Sequence, residues 1–289
     1  MTDTTDDGLT QRSIKNYLLF KRFFFGPWVR HLFKAKISGQ ENIPAKGGIL
    51  FASNHRGAMD APILAGMIDR PVTFPAKREL FESKSIGGRI VAWFLRSTGM
   101  IPLDRSGGKS SENALRPIVE RLEEGLAVGI YPEGKRSVDG RLYKGKTGVA
   151  RLALEAGVPV VPVAMFDSRK HTTKLGIPWV SHPHVVVGEP LDFSEYFGLQ
   201  DDYDALRWVT DQVMAAVQKL SGQEYVDVYC KDVYYKVITM EEANKHILPH
   251  PGYGEAKPPV LPKGTHVAKH EIGGADPGAD PGSPSAPAE

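Results

Sequence analysis

The sequence predicts an α/β domain in which a largely parallel sheet is flanked by helices. Apolar runs of strand length alternate with amphipathic runs of helix length, and glycine marks the short joints between them. The apolar runs are continuous, which is typical of buried strands. The chain has 289 residues, of which 41% are hydrophobic and 24% are charged, and this composition is ordinary for a globular protein with a sizeable core.

Local signals predict each element. The predicted strands lie within ILFA (49–52), RPVTFPAK (70–77), LAVGI (126–130), VPVVPVAM (158–165) and HVVVGEPL (184–191). The predicted helices lie within APILAGMID (61–69), IGGRIVAWFLRSTG (86–99), SSENALRPIVERLEEG (110–125), KTGVARLALEAG (146–157) and YDALRWVTDQVMAAVQKLSG (203–222). Pro62 is tolerated in a first helical turn, and Ser110 or Ser111 is a candidate N-cap. Three helices are expected to end at a glycine, at Gly99, Gly125 and Gly157.

The segment 12–36, RSIKNYLLFKRFFFGPWVRHLFKAK, mixes cations with bulky aromatic residues. It contains seven Lys or Arg, seven aromatic residues and no Asp or Glu. Such a helical segment suits the headgroup region of a bilayer, where rings enter the acyl boundary and cations meet lipid phosphate. The alternative is an amphipathic helix packed on the protein's own core, with its basic residues in water. Gly26 and Pro27 are expected to break the segment into two short helices.

Composition divides the chain into three regions. Residues 1–36 form the basic aromatic region, and residues 37–248 form the predicted α/β domain. Residues 249–289 are rich in Pro, Gly and Ala and poor in large apolar residues. This tail cannot bury enough apolar surface to offset the entropy of ordering, so it is predicted to be disordered.

Charge and cysteine content exclude several classes of protein. A net charge of +2 provides no global field for nucleic acid, so no nucleic-acid partner is expected. The single cysteine, Cys230, excludes an internal disulfide framework and fits a reducing compartment. No secretory signal is expected, and no apolar run reaches the roughly 20 residues of a spanning helix. No metal site is expected either, because the scattered histidines have no matching set of Cys or carboxylate ligands.

The segment NHRGAMD, residues 54–60, follows the first predicted strand, and the carboxyl ends of strands are where α/β sheets bind ligands. His55 and Asp60 are five positions apart, about 140° around a regular helix, so on a helix they would not share a face. They can meet only if residues 55–59 form a loop, which Gly57 permits. Asp60 would then fix the imidazole tautomer and make the other nitrogen a better base. The alternative is that Asp60 caps a helix and His55 is a loop donor.

The segment PEGKRS, residues 132–137, follows another predicted strand. A basic loop whose glycine allows close approach suits an anionic headgroup such as a phosphomonoester. Arg136 can bind such a group bidentately, and Lys135 adds charge. Arg105, on a turn within GMIPLDRSGG, and Lys146 are candidates for the same anion. On its own, the string EGKR favours a surface turn with local ion pairs.

Four segments in order are more specific than any one of them. NHRGAMD, GMIPLDR, YPEGKRS and GVPVVPV resemble the four sequence blocks of the glycerolipid acyltransferase superfamily, in particular its lysophosphatidic acid acyltransferases. The resemblance covers residues 37–191. It implies that His55 is the general base that deprotonates an acceptor hydroxyl and that Asp60 orients it. The hydroxyl would then attack the thioester of acyl-CoA or of acyl carrier protein.

The resemblance also implies an acceptor site. Arg105 of the second block would hold the acceptor's phosphate. Glu133 and Arg136 of the third block would serve the same site, with Gly134 shaping the loop. The fourth block is associated with the acyl chain, although a buried strand over residues 158–163 explains it equally well. The family also carries an N-terminal helical pair that sits on the membrane, and residues 14–33 are similar in kind.

Two positions depart from the family pattern. Lys135 stands where the third block commonly has threonine, and Pro102 stands where the second commonly has an aromatic or small residue. Neither removes a reacting group, and both lie near the acceptor, so they leave the acceptor's identity open more than the reaction type.

The expected function is acyl transfer to the free hydroxyl of 1-acylglycerol-3-phosphate, which forms phosphatidic acid. The thioester is a co-substrate, and no cofactor is expected. The alternatives are the same chemistry on another lysolipid, such as a lyso-ornithine lipid, a thioesterase, and a catalytically silent membrane-binding protein. We expect a peripheral or monotopic protein at the cytoplasmic face of the cell membrane, which it contacts through residues 12–36.

Overall fold

The computed structural model describes residues 7–103, 111–169, 171–172, 178–254 and 258–259. In this part of the chain the α-helices are α1 (Asp7–Phe20), α2 (Asp60–Met67), α3 (Ile86–Ser97), α4 (Ser111–Glu123), α5 (Gly148–Ala156), α6 (Tyr203–Ser221), α7 (Cys230–Tyr234) and α8 (Met240–Asn244). The strands are β1 (Lys36–Ser38), β2 (Ile49–Ser53), β3 (Val72–Thr73), β4 (Pro75–Lys77), β5 (Ile101–Leu103), β6 (Ala127–Ile130), β7 (Leu142–Tyr143), β8 (Val160–Phe166), β9 (His171–Thr172), β10 (Pro178–Trp179), β11 (His184–Val187), β12 (Tyr225–Val226) and β13 (Ile247–Leu248).

A six-stranded sheet in the order β1-β11-β8-β2-β6-β3 forms the centre of the molecule. Its neighbouring strands run parallel except for the antiparallel pair of β11 and β8. Side chains of β2 alternate between two cores. Ile49 and Phe51 pack with α2 and the N-terminal helical segment, whereas Leu50 and Ala52 pack with α4, α5 and α6. The predicted α/β fold with a largely parallel sheet flanked by helices is therefore confirmed.

The predicted strand at 70–77 is divided between two sheets. Val72 and Thr73 form β3 in the main sheet, whereas residues 75–77 form β4, which pairs in parallel with β5. Proline causes the division, because Pro75 has no N–H for the main ladder and the chain turns away at Phe74. The Phe74 N–H instead points at the sulfur of Met100, 3.4 Å away.

The predicted break at Gly26 and Pro27 is wrong. Both residues have right-handed helical dihedrals, and the helix continues beyond α1 through π-helical turns over Lys21–Phe25 and Trp28–Leu32. The Gly26 N–H bonds to the carbonyl of Lys21, five residues earlier. This wider turn carries the chain past Pro27, whose ring clashes with an ordinary α-helical turn. The helical segment 7–32 therefore lies along the domain as one continuous element.

One face of the helical segment 7–32 packs on the domain. Tyr17 and Val29 are buried, and the Tyr17 hydroxyl donates to the carbonyl of Ala65 at 3.0 Å. The Lys21 ammonium donates to the carbonyl of Ile68, and burial lowers the pKa of Lys21 to about 8. The opposite face exposes large apolar side chains, namely Leu18, Leu19, Phe23, Trp28 and Leu32. Core packing therefore accounts for one face of the segment and leaves the other to be explained.

The region 222–254 contains structure that sequence patterns did not predict. Strands β13, β12 and β7 form a small sheet, and the short helices α7 and α8 lie between β12 and β13. The described chain also continues past the predicted boundary at residue 248: Pro251 is buried, and the Pro249 carbonyl accepts a bond from Gln218. Apart from residues 249–254 and 258–259, the predicted disordered tail lies outside the described residues.

Candidate active site

The two polar segments predicted at strand ends meet at one edge of the main sheet. Strands β2 and β6 run parallel with Ala52 opposite Ile130, so the chain leaves both strands at the same level. Residues 54–59 follow β2, and residues 131–137 follow β6. The Ser137 N–H donates to the carbonyl of His55 at 2.8 Å, which joins the two loops directly.

His55 and Asp60 form a hydrogen-bonded pair. The imidazole Nδ1 lies 2.7 Å from Asp60 Oδ2. Residues 54–57 are non-helical, and α2 begins only at Asp60, so the loop condition for this contact is met. Because a carboxylate accepts, Nδ1 carries the proton and Nε2 has the lone pair. No hydrogen bond joins Nε2 to any of the described residues, and the side chain is 21% exposed.

Asp60 is fully buried, and the loop is folded around its carboxylate. Oδ2 also accepts the backbone N–H groups of Arg56 at 2.7 Å and Gly57 at 2.9 Å. Asp60 is the first residue of α2, where the helix dipole favours a negative charge. Gly57 is required by close packing, because a Cβ there would lie 2.6 Å from the carbonyl oxygen of Ser168. The loop thus presents three donors to one oxygen.

Glu133 is buried beneath this loop, which differs from the predicted role at the acceptor site. One carboxyl oxygen accepts the N–H of His55 at 2.9 Å, and the other accepts that of Tyr143 at 3.1 Å. Its side chain has no solvent exposure, and both of its oxygens are used by the backbone. Burial raises the pKa of Glu133 to about 8, and the charge of Asp60 acts in the same direction. Glu133 therefore holds the backbone of His55 in place.

A stack of aromatic rings fixes the imidazole plane. The His55 ring lies 4.0 Å from the ring of Tyr131 at an interplanar angle of 14°, and Tyr131 in turn stacks on Phe74. Phe74 fits because the sheet residue beneath it is Gly129, where a Cβ would lie 2.3 Å from the Phe74 ring. The hydrogen bond to Asp60 and this stack together leave the imidazole little rotational freedom.

Asn54 anchors the start of the loop. Its side-chain oxygen accepts the N–H of Met165 at 2.7 Å, and its amide nitrogen donates to the carbonyl of Met165 at 3.2 Å. The same nitrogen donates to Gln223 Oε1 at 2.6 Å, and the Gln223 amide donates to the carbonyl of Gly140. Gln223 therefore links the C-terminal region to the residue that precedes His55.

The cations predicted to bind an anion lie around the loop after β6. Gly134 has φ +70°, and a Cβ there would lie 3.0 Å from Cε of Lys146, so glycine lets the lysine side chain pass over the loop. Arg136 is exposed and directly precedes the residue that bonds to His55. Lys135 Nζ bonds to the Tyr235 hydroxyl at 2.6 Å and lies over the ring of Tyr234.

Arg105 lies outside the described residues. Leu103, the last described residue before it, pairs with Lys77 at the end of β4. Among the described residues, no group of three or more His, Cys, Asp or Glu side chains is arranged to hold a metal ion.

Comparison with known proteins assigns the chain to a family. Residues 34–166 match the family model named Acyltransferase. The chain is 30% identical over 193 residues to a 1-acyl-sn-glycerol-3-phosphate acyltransferase of Bacillus subtilis, a match that covers 65% of this chain and 88% of the relative. The chain belongs to the lysophosphatidic acid acyltransferase family.

Other relatives agree with this membership. The chain is 32% identical to a chloroplast 1-acyl-sn-glycerol-3-phosphate acyltransferase of Brassica napus over 48% of this chain, and it spans only 39% of that longer relative. Among solved structures, the 1-acyl-sn-glycerophosphate (LPA) acyltransferase of Thermotoga maritima superimposes with a TM-score of 0.53 at 25% identity, covering 75% of this chain and 82% of that one.

Seven of the eight predicted site residues lie around one edge of the main sheet, and the eighth is Arg105, which lies outside the described residues. Sequence reasoning missed the residues that support them, chiefly Asn54, Tyr131 and Gln223. Asn54 and Tyr131 are the first residues of the first and third sequence blocks, which was a usable signal. Gln223 follows the C-terminal end of α6, 168 positions after His55, and no local pattern indicates its contact.

Proposed function

We propose that this acyltransferase-family protein transfers an acyl group from acyl-CoA or acyl carrier protein to the free hydroxyl of 1-acylglycerol-3-phosphate, which yields phosphatidic acid. The observation that carries the proposal is the 2.7 Å contact between His55 Nδ1 and Asp60 Oδ2, with the ring locked by stacking and still partly exposed. The names of the relatives support the choice of acceptor.

The proposed reaction uses Nε2 of His55 as the base. Nε2 takes the proton of the acceptor hydroxyl while the hydroxyl oxygen bonds to the thioester carbonyl carbon. The carbon–sulfur bond then breaks, and the imidazolium returns its proton to the departing thiolate. Asp60, buried beside Nδ1, stabilises the imidazolium during the interval. No group on the protein is acylated in this scheme.

The cations around the loop after β6 are proposed to hold the acceptor's phosphate. Arg136 supplies a planar guanidinium that matches a phosphate with two parallel bonds, and Lys146 adds a point charge. Arg105 is proposed to join them by its place in the second sequence block. Lys135 replaces the threonine common in the family and is held towards Tyr235, so it is the position at which acceptor preference is proposed to differ from that of relatives.

The exposed face of residues 7–32 is proposed to lie on the membrane that supplies the lipid, at its cytoplasmic side. Leu19, Phe23 and Trp28 are exposed there, and the segment 12–36 has cations but no acidic residues. Rings and cations together match the acyl boundary and the phosphates of a bilayer. None of the described helices is both long enough and apolar enough to cross a membrane.

The direct test gives purified protein lysophosphatidate and acyl-CoA and measures thiol release and phosphatidate. His55→Ala should lower kcat by about 10² to 10⁴, the range for losing a general base. His246→Ala is the matched control, because His246 is exposed in the C-terminal region. Equal turnover by His55→Ala and the unchanged protein would refute the mechanism. Free fatty acid formed without acceptor would identify a thioesterase.

A second comparison tests the acceptor. Arg105→Ala should raise KM for lysophosphatidate by about 10- to 150-fold and leave acceptors without a phosphate unaffected, since one charge-assisted contact is worth about 1.5–3 kcal/mol. A loss that is equal for both kinds of acceptor would remove Arg105 from the phosphate site. Normal vesicle binding with no turnover on any donor–acceptor pair would identify a silent membrane-binding protein.

A further inference from the structure

Helix α3 has an outward face that is apolar instead of polar. Ala92 is buried against the domain, while Ile86, Ile90 and Trp93 are 82%, 62% and 66% exposed. These three residues are spaced four and three positions apart, so they form one stripe, which is turned away from Ala92. A helix on a protein surface normally turns its polar side to water. In α3 large apolar side chains face water instead, and because most of their surface is exposed, they contribute little to the stability of the fold.

The charges on the helix that carries this stripe are of one sign, and just before it the acidic Glu82 is paired with Arg78. The segment 83–103 contains Lys84, Arg89 and Arg96 and has no Asp or Glu. Arg89 and Arg96 are exposed, and their positions place them together on one flank of α3, where one nitrogen of Arg96 also donates to the carbonyl of Phe81. A second copy of this chain docking on the stripe by twofold symmetry would bring these cations towards one another. An anionic surface would pair with them instead.

The stripe continues a surface already described. Phe94, next to Trp93, packs edge-on against Phe20 of α1 with 4.9 Å between ring centroids. Phe25 and Trp28 of the helical segment 7–32 line an apolar cleft with Phe20 and Phe94. The exposed apolar residues of the two elements therefore lie on either side of one aromatic cleft.

We propose that the outward face of α3, formed by Ile86, Ile90 and Trp93, is a second membrane-contacting surface that binds anionic bilayers beside the N-terminal helical segment. The inference rests on the proposed delivery of substrate from a membrane. It adds a membrane contact that lies some 60 residues further along the chain than the basic N-terminal segment and is separate from it. Insertion of Ile90 and Trp93 would set the height of the domain above the lipid, with Arg89 and Arg96 at the level of the phosphates.

The chain permits a site-specific test because its one cysteine is shielded from solvent. Cys230 is buried, and burial raises the pKa of its thiol to about 12. Ile90→Cys can therefore be labelled selectively with an environment-sensitive fluorophore. Gln212→Cys is the matched control, because Gln212 is exposed on α6. Helix α6 packs on the face of the sheet opposite to the N-terminal helical segment. Each labelled protein is mixed with phosphatidylcholine vesicles, with or without phosphatidylglycerol.

The emission of the label at position 90 should shift to that of an apolar environment only when phosphatidylglycerol is present. The emission of the label at position 212 should not change. In sedimentation with the same vesicles, Ile90→Glu should weaken binding about tenfold, whereas Gln212→Glu should not. Ile90→Glu should retain turnover on detergent-dispersed substrate, which separates this inference from the proposed reaction. Unchanged emission of the label at position 90, in protein that does sediment with the vesicles, would overturn the proposal. So would an equal response to neutral vesicles, or a response to protein concentration alone, which would indicate a second copy.

Discussion

Replacing Asp60 with asparagine isolates the charge of the proposed catalytic pair from its geometry. Asp60 Oδ2 accepts three hydrogen bonds, from Nδ1 of His55 and from the N–H groups of Arg56 and Gly57. In Asp60→Asn the amide oxygen must take the Oδ2 position, because an NH₂ group there would face three donors. The tautomer of His55 is then preserved, and only the negative charge is lost.

The structure sets the size of the expected effect. With the opposite charges about 4 Å apart and an effective dielectric constant of about 20, the attraction is about 4 kcal/mol. His55 is 21% exposed, so solvent reduces this figure to about 3–4 kcal/mol. Since each 1.4 kcal/mol is a factor of ten in rate, Asp60→Asn should lower kcat by about 10² to 10³.

Stability is expected to change less. Among the described residues Oδ1 of Asp60 has no hydrogen-bond partner, so the amide nitrogen placed there is buried and unpaired. This costs about 1–3 kcal/mol, partly offset because a buried charge is removed. Asp60→Ala should cost more, because it also deprives the N–H groups of Arg56 and Gly57 of their acceptor.

The assay measures kcat and KM for the unchanged protein and for Asp60→Asn, with urea unfolding of both. Asp204→Asn is the matched control, because Asp204 is exposed in the first turn of α6. A kcat for Asp60→Asn within about threefold of the unchanged protein, in a folded variant, would refute the role of the charge. A defect confined to KM would also refute it.

Two supporting residues yield further predictions. Between pH 4.5 and about 8 the buried Glu133 holds a proton that the unfolded chain has lost, so stability should fall as pH rises, by up to about 1.4 kcal/mol per pH unit. Urea unfolding from pH 5.5 to 8 should show this slope, and Glu133→Gln should lack it; equal slopes would contradict burial as the cause. Gln223→Leu removes the bonds to Asn54 and Gly140 and should lower kcat about tenfold at nearly unchanged KM. Gln223→Glu keeps the acceptor for Asn54 and should recover part of kcat. Equal kcat values for the Leu and Glu variants would exclude positioning through Asn54.

Hydrophobic periodicity and the position of polar segments after strands predicted that the two loops of the candidate site meet at one edge of the sheet. Glycine marked the loop turns, and continuous apolar runs located β2, β6 and β8, so the segments after β2 and β6 were expected at one edge of the sheet. That reasoning works because parallel neighbours end together, as Ala52 and Ile130 do. The condition on His55 and Asp60 also came from the sequence, since helix geometry alone forbids their contact on one regular helix.

Local patterns failed where a residue acts through a distant partner. Glu133 belongs to a polar string and was expected near the ligand, yet its carboxyl group is buried under the backbone of His55. The small sheet formed by β7, β12 and β13 has strands of two residues, too short for any periodic signal. The continuous helix through Pro27 depends on π-helical turns, which a proline rule does not anticipate.

The sequence by itself determined the fold class, the candidate pair of His55 and Asp60, and the condition under which that pair can meet. These depend on local spacing and on the identity of side chains, both of which are written along the chain. The tertiary structure decided which side chains are buried and which backbone groups face them. It made Glu133 a support for His55, brought Gln223 to Asn54, and left the apolar face of α3 in solvent, because burial and long-range contact are properties of the packed chain and not of any segment alone.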